Sequence, residues 1–187
     1  ALPLEPFKAH LRLGTGFGED SLQDEVLISF LRASIAAIEA RTGKALILRQ
    51  FDLNLHDWCD PLAQDLSLAP VTSINAVVLI DANGAETTVD STLYRLMQDS
   101  QNPQLCPTKT LLPTVESGGA VRITMTAGMA NAWGDLPADL GQAVLMLAAH
   151  YYQYRDDTGL SAGCMPFGVT SLVERYRTVR LSLGRVQ

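Results

Sequence analysis

The richest run of possible metal ligands in the sequence is DLNLHDWCD, residues 52–60. Its donor side chains are Asp52, Asn54, His56, Asp57 and Cys59. Oxygen donors at alternate positions would suit Ca²⁺, which takes about six to eight oxygen ligands. An EF-hand loop that began at Asp52 would need glycine at its sixth position and glutamate at its twelfth. Asp57 and Ala63 occupy those positions, so the calcium-loop pattern fails.

Zinc is the second metal that this run could bind. His56 and Cys59 form an HxxC pair, but a zinc site would need two more ligands. We therefore expect a solvated loop in which Trp58 packs inward. No metal or other cofactor is expected.

Three glycines in GTGFGED are a possible phosphate-binding loop. They are Gly14, Gly16 and Gly18. A dinucleotide-binding loop follows a strand and has the spacing GxGxxG. Here a helix is predicted before the loop, and the third glycine falls one residue early, so a flexible loop is the better interpretation. The sequence also has no GxSxG, Walker A, HExxH or CxxC motif, and we expect no enzyme.

The elements that would position these residues follow an α+β order. Apolar periodicity predicts a first long helix at about residues 21–43, capped by Ser21, and a second at about residues 136–157. Between them, strand-like runs and proline-rich connections form a β-rich insertion, about residues 45–128. The predicted fold is a helical core of two long helices with a small β-rich insertion and an extended C-terminal tail. Because its strands are short, we expect the insertion to pack on the helical core.

Two shorter helices are also indicated, near the two ends of the chain. The apolar residues Leu4, Phe7 and Leu11 have helical spacing. A second short helix is predicted from Gly168 to about Tyr176.

Composition limits the class of protein. The chain has 187 residues, of which 47% are apolar and 18% charged, as expected for a folded domain. No apolar run reaches the roughly 18 residues needed to span a bilayer, so we expect no membrane partner. Three widely spaced cysteines, Cys59, Cys106 and Cys164, favour reduced thiols in a cytoplasmic protein.

The charge is distributed unevenly along the chain. Residues 1–173 carry 10 Lys/Arg and 19 Asp/Glu, a net charge of −9. Residues 174–187 carry four arginines and one glutamate, a net charge of +3. We therefore predict a single domain, residues 1–173, followed by a basic tail, residues 174–187. An acidic body is not typical of a protein that grips nucleic acid.

The second long helix ends in a polar and aromatic cluster. The stretch AVLMLAAHYYQYRDD, residues 143–157, runs from apolar residues into three tyrosines, an arginine and two acids. An active site, an ordinary helix end and a surface for a neighbouring subunit are all compatible with these residue types.

The order of the motifs resembles one protein family. In chain order the motifs are FKAHLRL, IEARTGKALILRQF, APVTSINAVVLIDANG, VRITMTAGM, LPADLGQAVLMLAAHYYQYRDD and PFGVTSLVERYRTVRL. Together they resemble the head–tail connector (adaptor) proteins of long-tailed bacteriophages, in particular the branch in prophages and gene transfer agents of alphaproteobacteria. The resemblance covers nearly the whole chain. The stretch DLNLHDWCDPLAQDLSL is its least family-like part.

This resemblance implies a structural role. Such adaptors form a ring, usually dodecameric, beneath the portal protein of the capsid. The ring continues the DNA channel and presents a surface to a stopper or head-completion protein. The resemblance implies that the protein lies in the neck of the virion of a phage-like particle, which is assembled in the bacterial cytoplasm. DNA would only pass through the channel and would not be held by the ring. Another neck or tail-completion protein (a stopper or terminator) and a small enzyme with an unrecognised site are the alternatives.

The resemblance also implies two contact sites. The first is a subunit interface at the end of the second long helix, formed by Tyr151, Tyr152, Tyr154 and Arg155; simple helix-end packing is the alternative. The second is a portal-binding tail, formed by Arg175, Tyr176, Arg177, Val179, Arg180, Leu181, Leu183 and Arg185. Its alternative is that residues 169–181 complete the core of the protein itself.

Overall fold

The chain divides into two compact units. In this computed structural model, which describes residues 2–12, 20–155 and 165–177, one unit combines Ala1–Gly43 with Trp133–Gln187 and the other is Lys44–Ala132. We call them the helical unit and the β unit.

The described residues of the helical unit form four α-helices. They are α1 (Leu4–His10), α2 (Asp20–Thr42), α3 (Ala138–Gln153) and α4 (Phe167–Val173). Short 3₁₀ turns lie at Trp133–Asp135 and Glu174–Tyr176. Both α2 and α4 pack along α3, and α1 contacts α2 and α3. In the part of the chain that the structure describes, none of the helices has the length and apolar character to cross a membrane.

The apolar spacing of α3 places it at the centre of this unit. Its fully buried residues recur at helical intervals: Leu140, Ala143, Val144, Leu147 and Ala148. This repeat puts them on one broad face, against α2 and α4. On α2, Leu27, Leu31 and Ile38 form the facing stripe, all 0% exposed. Ser34 lies in the same stripe and donates its hydroxyl to the Phe30 carbonyl at 2.8 Å, which satisfies the buried oxygen.

The β unit contains two antiparallel sheets. The four-stranded sheet has the order β1-β7-β3-β4 and the three-stranded sheet β2-β6-β5. The strands are β1 (Arg49–Leu55), β2 (Gln64–Asp65), β3 (Val71–Ile80), β4 (Glu86–Thr88), β5 (Tyr94–Met97), β6 (Gln104–Pro107) and β7 (Ala120–Ala127).

The strand β7 organises the core of the β unit. Val121, Ile123 and Met125 are at most 1% exposed, whereas Arg122 and Thr124 are half-buried on the opposite face. This alternation is that of a strand with one face in the core. Strands β1 and β3 pair with β7 along its two sides, so the apolar face of β7 packs into a cluster that also contains residues of the three-stranded sheet.

The predicted core of two long helices with a small insertion is wrong, although the fold is α+β. Where the structure describes the helical unit, it has four helices. The short ones contribute fully buried side chains, including Phe7 on α1 and Val169 and Val173 on α4. Seven strands in two sheets replace the small insertion, with an apolar cluster of their own. Short helices and strands carry little periodic signal, so tertiary packing and pairing define them.

The ends of the helices differ by a few residues from those expected. The helix predicted at 136–157 is observed as Ala138–Gln153, and the one predicted at 21–43 as Asp20–Thr42. The short helix predicted from Gly168 to about Tyr176 is observed as α4, Phe167–Val173, followed by the 3₁₀ turn Glu174–Tyr176. Residues 178–187 lie outside the described residues. A single domain, residues 1–173, with the insertion packed on the helices, stays a prediction.

Candidate interaction surfaces

The aromatic cluster at the end of α3 is split between two sides of the helix. Tyr152 packs edge-on against Phe30 of α2, with ring centroids 6.2 Å apart and an interplanar angle of 89°. The Arg155 guanidinium lies 4.7 Å from the centroid of the Tyr152 ring, and its Nη1 donates to the Tyr152 carbonyl at 3.3 Å. The aromatic pair therefore holds Tyr152 against α2, and the cation–π contact holds Arg155 against Tyr152.

Tyr154 points away from that contact. Two residues along an α-helix differ by about 200° in direction, and Tyr154 lies beside His150, with ring centroids 4.7 Å apart. Tyr154 remains 47% exposed. Tyr151 is half-buried on the same turn, 6.4 Å from His150. The predicted interface residues thus lie together at one helix end, but they face in two directions.

Two exposed apolar residues of the helical unit were not predicted as surface sites. Val26 of α2 is 45% exposed and lies one turn before Phe30 on the same face. Phe167, the first residue of α4, is 88% exposed. The motif PFG would have indicated a helix start after Pro166, but not that the aromatic ring faces solvent.

The first residues of the predicted tail are bound to α3 of the same chain. The Tyr176 hydroxyl donates to the Asp139 carboxylate, with distances of 2.9 and 3.0 Å to its two oxygens. Arg175 Nη2 lies 2.6 Å from Asp139 Oδ2 and donates to the Tyr176 hydroxyl oxygen at 2.6 Å. Asp139 sits in the first turn of α3, where the helix dipole favours a negative charge. These contacts bind Arg175 and Tyr176 to the first turn of α3.

The cluster shifts the ionisation of its members. Burial raises the pKa of the Tyr176 phenol, and its bond to Asp139 acts in the same direction. The hydrogen bond to Tyr176 raises the pKa of Arg175. Because both pKa values are raised, Tyr176 and Arg175 stay protonated at neutral pH and can donate their hydrogen bonds.

Replacing Tyr176 by phenylalanine tests this cluster. Tyr176→Phe should destabilise the protein by about 1 kcal/mol, because Asp139 loses a hydroxyl donor in a partly exposed site. The pKa of Tyr176 in the folded protein is raised above 10.0. The contribution of Tyr176 to the free energy of unfolding is therefore complete below pH 10 and is lost as the pH rises through this raised pKa. Urea denaturation at neutral and alkaline pH measures both effects. Tyr151→Phe is the matched control, and an equal loss in both variants would contradict the assignment.

The rest of the predicted portal-binding set is only partly described. Arg177 pairs with Glu174 at 3.0 Å, and both side chains are about half exposed, so this pair contributes little to stability. Val179, Arg180, Leu181, Leu183 and Arg185 lie outside the described residues. The portal-binding and subunit-interface assignments therefore stay predictions.

The run of possible metal ligands, residues 52–60, was predicted to be a solvated loop, but residues 52–55 belong to strand β1 and only residues 56–60 form a loop. Trp58 is 8% exposed, and its indole N–H donates to the Pro113 carbonyl at 2.7 Å. Asp57 accepts the Trp58 backbone N–H at 2.8 Å, which makes the acid part of the turn. Among residues 2–12, 20–155 and 165–177, no group of three or more His, Cys, Asp or Glu side chains is placed to hold a metal ion. Gly14, Gly16, Gly18 and Cys164 are not among the described residues.

The chain is similar to proteins in three solved particle structures. No family model matches the chain, and no curated protein does. A chain in the neck of an empty gene transfer agent (GTA) particle with C6 symmetry is 49% identical, with a TM-score of 0.88 over 100% of this chain and 94% of that one. A chain in the virion of a native GTA particle is 48% identical, with a TM-score of 0.84 over 100% and 94%. A chain in the neck of a native GTA particle with C12 symmetry is 44% identical, with a TM-score of 0.81 over 100% and 93%.

These similarities confirm the coarser part of the sequence resemblance, that of a neck or connector protein of a phage-like particle. The proteins it resembles are structural parts of a virion. With 44–49% identity over nearly the full length of both chains, this chain belongs to the family of gene transfer agent neck proteins.

Proposed function

We propose that this protein is the head–tail adaptor of a phage-like particle, a ring that joins the portal to the stopper and continues the DNA channel. The observation that carries this proposal is the 49% identity and TM-score of 0.88 to a chain in a GTA neck, across the whole of this chain. The role is structural and not catalytic. The protein acts in the neck of the virion and is assembled in the bacterial cytoplasm.

A ring of twelve copies fits the symmetry of the similar particles. One GTA neck was determined with C6 symmetry and another with C12 symmetry, and a twelvefold ring contains sixfold symmetry. A ring requires two different faces on each copy, because its contacts are head-to-tail. We place the first face at the end of α3, where Tyr152 and Arg155 form a rigid base and Tyr154 is the exposed contact. Phe167, 88% exposed, is the best-placed apolar residue for the second face.

Truncation of these side chains should prevent ring formation. Tyr154→Ala and Phe167→Ala should each reduce assembly at least about tenfold, because exposed aromatic anchors carry much of the binding energy of such contacts. Neither residue is buried, so the melting temperature should stay within about 2 °C of the parent. Mass photometry of the protein with and without portal measures assembly. Leu62→Ala, at a 60% exposed leucine of the β unit, is the control, and unchanged assembly in both aromatic variants would contradict these faces.

The acidic body is suited to a channel through which DNA moves. Residues 1–173 have a net charge of −9, and like charges keep a duplex from adhering. A chain that lacks residues 174–187 should show no binding of duplex DNA at physiological salt in a gel-shift assay. Tight binding by this truncated chain would contradict the channel role.

The two remaining partners are the portal and the stopper. We place the portal contact in the basic tail, where Arg177 and Arg180 are combined with aliphatic residues such as Leu181. Arginine side chains can pair with portal carboxylates while the aliphatic residues fill apolar pockets. The stopper would bind the opposite side of the ring.

Imaging of a mixture with purified portal rings tests the adaptor role directly. We expect a second ring stacked on one end of each portal ring, with twelvefold averages. A matched mixture with purified tail tubes is the control. Binding to the tubes and not to the portal would show a terminator-like role and overturn the proposal.

A further inference from the structure

The outer face of α2 is apolar although it is exposed. It lies on the side of the helix away from the buried residues Leu27, Leu31 and Ile38, and it extends from residue 26 to residue 40, about 21 Å at 1.5 Å a residue. A surface helix normally carries charged and polar side chains on this side. Here the exposed or half-buried side chains, which we call the outer α2 face, are Val26, Ser29, Phe30, Ala33, Ala36, Ala37 and Ala40.

No charged side chain interrupts the outer α2 face, all of whose residues the structure describes. Its hydroxyl group, on Ser29, donates to the Val26 carbonyl at 2.7 Å and so is bonded within the helix. Glu25 and Arg32 are exposed, but each is next in sequence to a residue of the face and points about 100° away from it. The outer α2 face therefore has the character of a surface that is buried in an assembly.

A second exposed apolar group lies on a different side of the helical unit. Phe167, which is 88% exposed, begins α4. The start of α4 lies against the side of α3 that carries Met146, because a Cβ atom at Gly168 would be 2.9 Å from Met146 Cε. The helix α2 lies against the side of α3 that carries Tyr152. Six residues along an α-helix differ by about 120° in direction, so α2 and Phe167 are on different sides of α3.

This placement suits a head-to-tail contact between copies. In a two-fold contact, the same patch of each copy meets itself. An aromatic group and an apolar face on different sides of one molecule can instead be bound by two different neighbours, and such contacts form a ring where the rotation closes. The neck structures of similar proteins have C6 and C12 symmetry. A second copy of this chain is therefore the partner that fits the outer α2 face.

We propose that the outer α2 face binds Phe167 of a second copy in the ring. This inference rests on the ring proposed above and names the two surfaces that meet in it. Alanine side chains are short enough for an aromatic ring to approach the helix backbone at Ala33, and Val26 and Phe30 would contact the edge of that ring. Phe30 already packs on Tyr152, so the acceptor surface is ordered before the contact forms. Burial of the Phe167 ring supplies the affinity.

Mass photometry of the full-length protein mixed with purified portal rings tests the acceptor surface. Ala33→Glu should reduce ring formation at least about tenfold, because a carboxylate would be buried there without a partner. Arg32→Gln is the matched control, since it changes the net charge by the same amount on the adjacent residue but points off the face; its ring formation should equal that of the parent. Unchanged ring formation by the Ala33→Glu variant overturns the proposal.

The melting temperature identifies the other possible cover of this face. Ala33 and Arg32 are exposed, so both variants should melt within about 2 °C of the parent. A clear loss of stability in the Ala33→Glu variant alone would show that the chain covers this face itself, and it overturns the proposal.

A charge exchange tests whether the two surfaces meet. Phe167→Lys alone should also reduce ring formation. Combined in one chain with Ala33→Glu, it should restore ring formation at least about fivefold over either single variant, because the lysine of one copy can pair with the glutamate of the next. Ala33→Glu combined with Leu62→Lys, at an exposed leucine of the β unit, is the control and should restore nothing. Additive losses in the Phe167 and Ala33 combination overturn the proposal.

The parent protein distinguishes this inference from the adaptor role on which it rests. A parent that forms no ring with the portal overturns both. A parent ring that the Ala33→Glu variant also forms overturns the proposed contact alone and leaves the adaptor role standing.

Discussion

Removal of residues 177–187 should abolish attachment to portal-bearing heads while leaving the melting temperature nearly unchanged. The melting temperature should hardly change because the buried and hydrogen-bonded residues of the C-terminal segment come before residue 177. Val173 is fully buried on α4, and Tyr176 is bonded to Asp139 of α3. Arg177 pairs with Glu174, and both side chains are about half exposed, so the loss of this pair costs little stability. The deleted residues carry the arginines and aliphatic side chains of the proposed portal contact.

A second truncation provides the control. Deletion of residues 174–187 also removes Tyr176 and its bond to Asp139, and it uncovers the end of α4. We expect a loss of about 2 kcal/mol from the hydrogen bond and the apolar contact, which lowers the melting temperature by about 4–8 °C in a chain of this size.

Attachment is measured by sedimentation of the protein with purified portal-bearing heads, and stability by calorimetry. Normal attachment of the chain that ends at Tyr176 would refute the tail contact. A large loss of stability in that same chain would show that residues 177–187 belong to the core of the protein.

Gly128→Ala should be among the most destabilising single substitutions in the β unit. Gly128 follows β7 with φ of +154°, a backbone conformation that favours glycine. A Cβ atom there would lie 2.3 Å from Leu48 Cα and 2.4 Å from Leu48 N. These are backbone atoms, so they cannot move aside as a flexible side chain would. We expect a loss of roughly 3 kcal/mol or more.

The backbone around Gly128 is fixed by hydrogen bonds on both sides. The Gly128 N–H donates to the Pro70 carbonyl at 3.0 Å, and the Leu48 N–H donates to the Ala130 carbonyl at 2.8 Å. Relief of the clash would have to separate these pairs. The strain therefore stays in the folded state and lowers the free energy of unfolding.

Substitutions at two other glycines distinguish the effect of the steric clash from the effect of the positive φ. Gly84 has φ of +85° but open space around its Cα, and Gly134 has open space and no positive φ. Gly84→Ala should cost about 1 kcal/mol from strain alone, and Gly134→Ala should stay within about 0.5 kcal/mol of the parent. Urea denaturation of the three variants gives the ranking. Equal stability of the Gly128 and Gly84 variants would contradict the steric explanation.

Much of the local structure could be predicted from the sequence where a segment is long and strongly periodic. The buried face of α3 follows the spacing of its apolar residues, and the alternation of β7 separates buried from exposed side chains along the strand. Trp58 was expected to pack inward, and it donates to Pro113. In each case one segment's own pattern determines which side chains meet the core.

The interaction surfaces could be predicted only as residue types. Tyrosine and arginine at the end of α3 suggested a contact surface, but the sequence did not show that Tyr152 packs on Phe30 while Tyr154 faces solvent. It also did not show that Tyr176 reaches Asp139, 37 residues earlier. Such contacts depend on how separate helices pack, and no local pattern records that.

The sequence by itself determined the α+β class, the long helices, the alternating strand and, through the order of its motifs, the resemblance to neck proteins. Only the tertiary structure decided that short helices complete the helical unit and that seven strands form two sheets. The physical reason is the range of the interactions. Side-chain periodicity acts within one segment, whereas strand pairing and the burial of short helices depend on partners distant in the chain.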